Sequence, residues 1–326
     1  MLSSFWAITK NAVVEIIRQP VYGILLLTGM LLIGLSPAIT MFSMASDESL
    51  MVDMGLATIL LLGLIVAVLS ATQVISREVE AQTVGAVLSK PVGRFVFVVA
   101  KFVAVSLAMA LGCYLLIIVM LTTLRIGVPS SASWRLDWPA FLVALVPLLL
   151  AMGLGVYVNF FYRWNFTSSA ILFALPLYTV GFLVLLIVNA GWEVEVVPKI
   201  FLERHAWPVA QAAVLVFMGV WVLSSVAVAV STRLNVVINV VICLTVFFVG
   251  MISQYLFGRF ADHSRLAWLA LRVVPSLEVF WVGDQLMAQV PLIPMRYVWT
   301  AGAYAAGFCA SMVALAAFLF ERREVT

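Results

Sequence analysis

Eight windows of at least 23 residues contain no Asp, Glu, Lys or Arg, at 19–46, 54–76, 102–124, 138–162, 164–192, 206–232, 234–258 and 297–320. About 20 apolar residues in a helix cross the roughly 30 Å hydrocarbon core of a bilayer. Lipid offers no partner to backbone N–H and C=O groups, so each window is expected to be a helix that satisfies its own backbone. A barrel strand would instead alternate apolar and polar side chains over about ten residues. The runs Ile59-Leu60-Leu61-Leu62 and 143–150 do not alternate. The fold class is therefore all-α: a polytopic transmembrane bundle of about eight spans. Of the 326 residues, 65% are hydrophobic and 10% charged, against roughly a quarter charged in soluble domains. Residues 1–326 are read as one membrane domain.

Charge placement gives an orientation. Lys10 and Arg18 precede the first window, Asp47, Glu48 and Asp53 follow it, and Arg77, Lys90, Arg94 and Lys101 lie beyond the second. The positive-inside rule then predicts a multi-pass protein of a cell (inner) membrane with N- and C-termini in the cytoplasm. Summed over all loops the bias is weak, ten Lys and Arg inside against eight outside. The basic residues sit at window ends, where they suit phospholipid headgroups, and no basic block suggests nucleic acid.

Residues 1–20 carry Lys10, Glu15 and Arg18 and no signal-peptide pattern. At 100° per residue, Lys10, Asn11, Glu15 and Arg18 fall on one side, and Phe5, Trp6, Ala12, Val13, Ile16 and Ile17 on the other. This predicts a helix lying in the membrane interface, or one packed on a partner, ended by Pro20.

The loop from Ser76 to Pro91 has acids in its first turns, Lys90 in its last and a proline to stop it, which predicts a short helix. Ile75, Val79, Ala86 and Val87 share one side, while Val84 and Leu88 fall opposite. Apolar groups on two sides need two neighbours, the bundle and a separate protein. From Ile75 to Lys101 the sequence carries Glu78, Glu80 and Thr83, then Leu88-Ser89-Lys90-Pro91 and Arg94, then Lys101. It resembles the first cytoplasmic loop of ABC-2 type permeases, which reads roughly E-x-E-x-x-T, L-S-x-P-x-x-R and a Lys entering the next span. The resemblance implies that 76–94 is the coupling helix that docks in a groove of an ATPase subunit. Glu78, Glu80, Thr83, Lys90 and Arg94 are the implied docking residues, with a solvated topology-setting face as the alternative.

A second stretch, Pro275 to Phe280 with Asp284, Pro294, Tyr297, Tyr304 and 320–324, looks like the outer helices and last span of one branch of that family. This branch includes the permease of the nitrous-oxide-reductase maturation exporter. The N-terminal helix is similar in position to the family's interfacial elbow helix. Family members commonly have six spans, so the count of eight suggests an extra pair within 138–192. The turns at 159–169 and 231–239 look like two versions of one motif.

Other features exclude functions. The chain has no G-x-x-x-x-G-K-[ST] phosphate loop, no H-E-x-x-H and no G-x-S-x-G, so it is not expected to be an enzyme or to hydrolyse ATP itself. His205 and His263 fall in expected outer loops, and adjacent Asp262 and His263 would point apart in a helix. Cys113, Cys243 and Cys309 each fall inside a window and read as buried small side chains, with no metal set. Windows without ionisable groups argue against an ion-driven transporter, because buried carboxylates normally mark ion paths. Tyr178, Asn159, Asn189, Asn239 and Gln254 could line a polar path or satisfy neighbouring backbone. In the last window, Ala301, Ala305 and Cys309, and Ala303, Gly307 and Ser311, allow close helix approach within the bundle or at a dimer seam. The outer loop 259–296 is expected to form short interfacial helices, with Trp268 and Trp281 at headgroup depth.

These readings lead to the expectation of a permease subunit of an ATP-binding-cassette exporter. The implied partners are an ABC ATPase subunit, which would hold ATP and Mg, a second permease copy or paralogue, and membrane lipid. A non-transporting scaffold or assembly factor and an ion-coupled secondary transporter are the alternatives.

Overall fold

The computed structural model describes residues 2–40, 47–80, 93–127, 137–194, 206–258, 265, 273–283 and 293–321, with the side chains of 2, 47–48, 76–80, 94 and 321 outside that description. Its elements in chain order are α1 (Leu2–Ile17), α2 (Pro20–Thr40), α3 (Asp47–Glu80), α4 (Arg94–Ile126), α5 (Trp138–Tyr162), α6 (Phe166–Leu185), α7 (Trp207–Ser231), α8 (Val236–Met251), α9 (Ser253–Phe257), a 3-10 turn (Leu277–Phe280) and α10 (Met295–Glu321). Among the described residues the only β pairing is an isolated bridge between Val188 and Val194.

Every window contains a helix, though the one in 164–192 ends at Leu185, and among the described residues seven helices are long and apolar enough to cross a membrane. The window 234–258 differs: α8 is 16 residues long and stops at Ile252 (φ −119°, ψ 18°) before α9 resumes. At 1.5 Å per residue α8 covers about 24 Å, short of the hydrocarbon core, and α9 makes up the difference.

Two helices overrun their windows. Both α3, with 34 residues, and α4, with 33, reach about 50 Å, well beyond the bilayer core. The expectation that the spans carry no ionisable group is thereby corrected: Asp53 lies within the span 49–75, Lys101 and Arg125 within 95–126, and Arg296 within 295–320. Charge-free windows mark where hydrocarbon must lie, but a helix continues until its backbone finds another partner. Side chains near its ends can also reach out of the core.

Burial separates the helices into centre and periphery. In α7, 72% of the apolar window is buried inside the bundle, against 17% in α5. α7 packs on α3, α4, α8 and α10. Small side chains permit the closeness: a Cβ on Gly63 of α3 would lie 2.9 Å from Val220 Cγ1 of α7. Polar ties fix the register. Trp221 Nε1 donates to Ser106 Oγ at 2.8 Å, joining α7 to α4. The fully buried Asn239 of α8 donates from Nδ2 to Thr72 Oγ1 at 2.9 Å and to Ala227 O at 3.2 Å, joining α8 to α3 and α7.

The α5–α6 hairpin packs mainly on itself and exposes most of its outer surface. Its turn resembles that between α7 and α8, as the sequence suggested. Asn165 caps α6 by accepting from Ser168 N at 3.1 Å, and Asn235 caps α8 by accepting from Ile238 N at the same distance. An Asn at this position satisfies a first-turn N–H left without an intrahelical partner. Arg163 closes α5 in the left-handed region (φ 56°) and donates its N–H to Asn159 O.

α1 lies along α4, with contacts to α2, α3 and α6. Ala12 and Ile16 are buried, while Lys10, Asn11, Glu15 and Arg18 are exposed, as the amphipathic pattern requires. Trp6, on the apolar side, is 59% exposed, so the ring is left for the interface and not for the bundle. Pro20 begins α2 at its first helical position, where its missing N–H costs nothing.

Candidate coupling face and outer cap

The implied docking residues lie around the break between α3 and α4. Glu78 and Glu80 fall in the last turn of α3, since 76–80 continue that helix without interruption. Arg94 is the first residue of α4, behind Gly93 in extended conformation. Thr83 and Lys90 lie outside the described residues, as do His205 and His263. The two overlong helices thus carry both ends of the segment 81–92 to one face of the bundle, the face that also holds α1 and the end of α10.

What lies behind that face is well determined. Val74 and Ile75 at the base of the α3 extension are fully buried. In α4, the Phe97 ring stacks on Phe320 of α10 with centroids 5.6 Å apart and planes 20° apart. One turn on, Lys101 is only 3% exposed and holds Nζ 5.4 Å from the Phe97 ring centroid, within reach of a cation–π interaction. From α1, Thr9 Oγ1 donates to Phe5 O at 3.0 Å and approaches Ala100 O at 3.4 Å. Arg233, at the α7–α8 turn, donates from Nη2 to Leu319 O of α10 at 2.6 Å. The start of α4 is therefore held between α1 and α10.

Sequence reasoning missed this junction. Lys101 was legible as part of a basic loop, and Phe97 stands one turn before it, but nothing local indicates that Phe97 meets Phe320.

At the opposite face a cap closes the bundle. Leu277, Phe280 and Val282 are buried at 3%, 2% and 1% exposure. The 3-10 turn packs on α7, α8 and α9, and Tyr297 and Tyr304 of α10 tie it down. Tyr297 Oη donates to Val279 O at 2.7 Å, and Ser276 N donates to Tyr304 Oη at 3.0 Å. Of the residues singled out in 275–304, Ser276, Val279, Tyr297 and Tyr304 are thus joined in space, while Asp284 lies outside the described residues. Trp281 is half-buried against this core, where the sequence suggested an interfacial ring. Trp268 lies outside the described residues.

Backbone proximity limits Gly250 at this cap. A Cβ there would lie 2.7 Å from the Pro275 carbonyl oxygen and 2.9 Å from Leu277 Cγ. Gly250→Ala is expected to destabilise the detergent-solubilised chain by ~1–3 kcal/mol, the usual cost of overpacking. Gly153→Ala, with open space around its Cβ, serves as the neutral control in the same thermal unfolding series.

The polar residues considered for a transport path mostly serve local structure. Tyr178 is buried and donates to Ala144 O at 2.9 Å. Asn159 donates to Trp164 O at 2.5 Å. Asn189 accepts from Gly191 N and Glu193 N in a tight turn. Gln254 is exposed. In α10 the two small-residue stripes separate: Ala301, Ala305 and Cys309 are buried, with Cys309 Sγ 3.5 Å from Trp221 O, while Ala303, Gly307 and Ser311 face outward. All three cysteines are free and buried, and no group of metal-ligating residues occurs among the described residues.

These features define a multi-pass membrane helix bundle. One face presents a segment between two overlong helices, and the other is closed by a short inserted turn. Residues 26–180 match the family model described as ABC-2 family transporter protein. The match runs from α2 into α6, a little under half of the chain, and includes the whole segment 76–94. No curated protein and no solved structure matches the chain.

Proposed function

We propose that this chain is the transmembrane subunit of an ATP-binding-cassette exporter, driven by ATP that a separate ATPase subunit binds with Mg and hydrolyses. The observation that carries the reading is the match over 26–180, within which α3 and α4 extend beyond the bilayer and present 81–92 at one face. That face is the cytoplasmic one, and Glu78, Glu80, Thr83, Lys90 and Arg94 contact the ATPase subunit. Closure of the ATPase pair pushes on 81–92 and tilts the start of α4, and the junction with α1 and α10 passes the movement into the bundle. A second permease copy or paralogue completes the path. The likeness of 275–324 to the branch with the nitrous-oxide-reductase maturation permease belongs to this proposal as well.

The test is affinity purification of the chain in mild detergent, with identification of the bound partner and its ATPase rate. Glu78→Ala with Glu80→Ala removes two charged partners, each contributing ~1.5–3 kcal/mol when hydrogen-bonded. Recovery of the ATPase subunit is expected to fall by about tenfold or more. Unchanged recovery and unchanged ATPase stimulation in the double variant would contradict the assignment. A partner that binds normally but whose ATPase rate the chain never alters would favour a scaffold.

A further inference from the structure

A groove of about 320 Å³ runs between α2, α5 and α6 with α4 as its floor, within the size range of small-molecule sites. Leu27, Met30, Leu115, Leu148, Met152 and Ala174 are among its lining residues, and Thr167 is the only one of fifteen with a polar side chain. It reaches from Pro20 and Phe166, the first residues of α2 and α6, to Met30 and Ala174. Ten residues of α2 at 1.5 Å each give a length of about 15 Å. That is half the hydrocarbon thickness, so the groove occupies one leaflet only, the one on the α1 side.

Two cationic residues stand close in sequence to its mouth. Arg18 lies two residues before Pro20 and Arg163 three before Phe166, and both are exposed. α1 touches α6, which brings these two chain segments together at the same face. Neither arginine is in an ion pair among the described residues. A guanidinium binds phosphate oxygens through two parallel hydrogen bonds. An apolar slot one leaflet long, with two such groups at its headgroup end, has the chemistry of a phospholipid site.

We propose that this groove seats an acyl chain of an anionic phospholipid from the α1-side leaflet, with Arg18 and Arg163 on its phosphate. An acyl chain in the slot gains dispersion contacts with every lining side chain, and α5 and α6, at 17% and 28%, are the least buried of the seven long apolar helices. The seated chain packs between the α5–α6 hairpin and α2, adding to the direct contact between α2 and α6.

The experiment uses the whole chain in mild detergent without any ATPase partner, so its outcome is independent of the transport reading. Native mass spectrometry follows retention of phosphatidylglycerol and of phosphatidylcholine with the same acyl chains. The native chain is expected to retain one phosphatidylglycerol with a preference of about tenfold over phosphatidylcholine, as two charged contacts allow. Arg18→Gln with Arg163→Gln should reduce that preference to about twofold or less, and Leu27→Trp, which fills the slot, should abolish retention of both lipids. Equal retention of the two lipids by the native chain, or an undiminished preference in the double Gln variant, overturns the proposal. The double variant changes only exposed side chains, so it decides the matter even if Leu27→Trp fails to fold.

Discussion

Arg125→Met is expected to lower the stability of the solubilised bundle by ~3–5 kcal/mol, the cost of leaving a buried charge without its partner. Arg125 ends α4, and its side chain and that of Asp137 are each 11% exposed. Its Nε donates to Asp137 Oδ2 at 3.0 Å, and its two terminal nitrogens donate to the carbonyls of Leu185 and Val188. Asp137 uses its other oxygen to cap α5, accepting from Ala140 N at 3.0 Å. One guanidinium thus joins the end of α4, the start of α5 and the end of α6. Methionine fills similar volume but supplies none of these donors. Arg125→Lys keeps the charge without the planar fork, so its loss should be smaller, whereas Asp137→Asn keeps a capping oxygen but leaves the guanidinium without its counter-charge, so its loss should approach that of Arg125→Met. Thermal unfolding in one detergent orders the three variants; an unfolding temperature for Arg125→Met equal to that of the native chain would refute the clamp.

Phe97→Ala is the second large effect, with an expected loss toward the lower end of ~3–5 kcal/mol for removing a buried aromatic ring. Part of that range comes from transfer out of water, and between membrane helices packing contributes more than transfer. The remaining part is real here, because Phe97 is 1% exposed and stacked on Phe320, itself 1% exposed. Removing the ring also strips the aromatic face from beside Lys101. Phe97→Leu refills part of the space and should recover about half of the loss. Because neither variant changes a residue in 76–94, the proposed ATPase partner should still co-purify with both. A destabilised chain that keeps its partner but no longer alters its ATPase rate is the result expected of a junction that transmits movement.

The helices were legible because their signal is local. A charge-free run of 23 residues has one way to satisfy its backbone in lipid, and the Asn caps at 165 and 235 announce themselves within three residues of the N–H they accept from. Pro20 before α2 and Asp137 before Trp138-Pro139 are equally short-range marks of helix starts. Helix length beyond the windows was less legible. Lys101 reads as a loop residue when charge alone is counted, yet α4 carries it inside the bundle because Phe97 covers it.

The cap at the face opposite 81–92 shows the other limit. Pro275 and the run to Phe280 stand out in the sequence as a break in an apolar region, but whether such a piece lies on the membrane surface or inserts depends on a receiving space. Gly219 and Gly250 create that space: a Cβ on Gly219 would stand 3.2 Å from Phe280 Cβ. Those glycines belong to α7 and α8, more than 20 residues away from the turn they admit.

By itself the sequence determined that the chain is an all-helical bundle able to cross a membrane and roughly where its apolar helices begin, while its count of eight spans exceeds the seven helices of membrane-crossing length among the described residues. The fold class and the helix starts follow from hydropathy, capping and charge within a few residues. Only the tertiary structure decided which helix is central, that α4 is gripped between α1 and α10, and that Arg125 binds three chain segments. It also decided that α2 and the α5–α6 hairpin leave a leaflet-length slot. Those outcomes depend on side chains that are remote in sequence meeting at van der Waals distance, and no local periodicity encodes such a meeting.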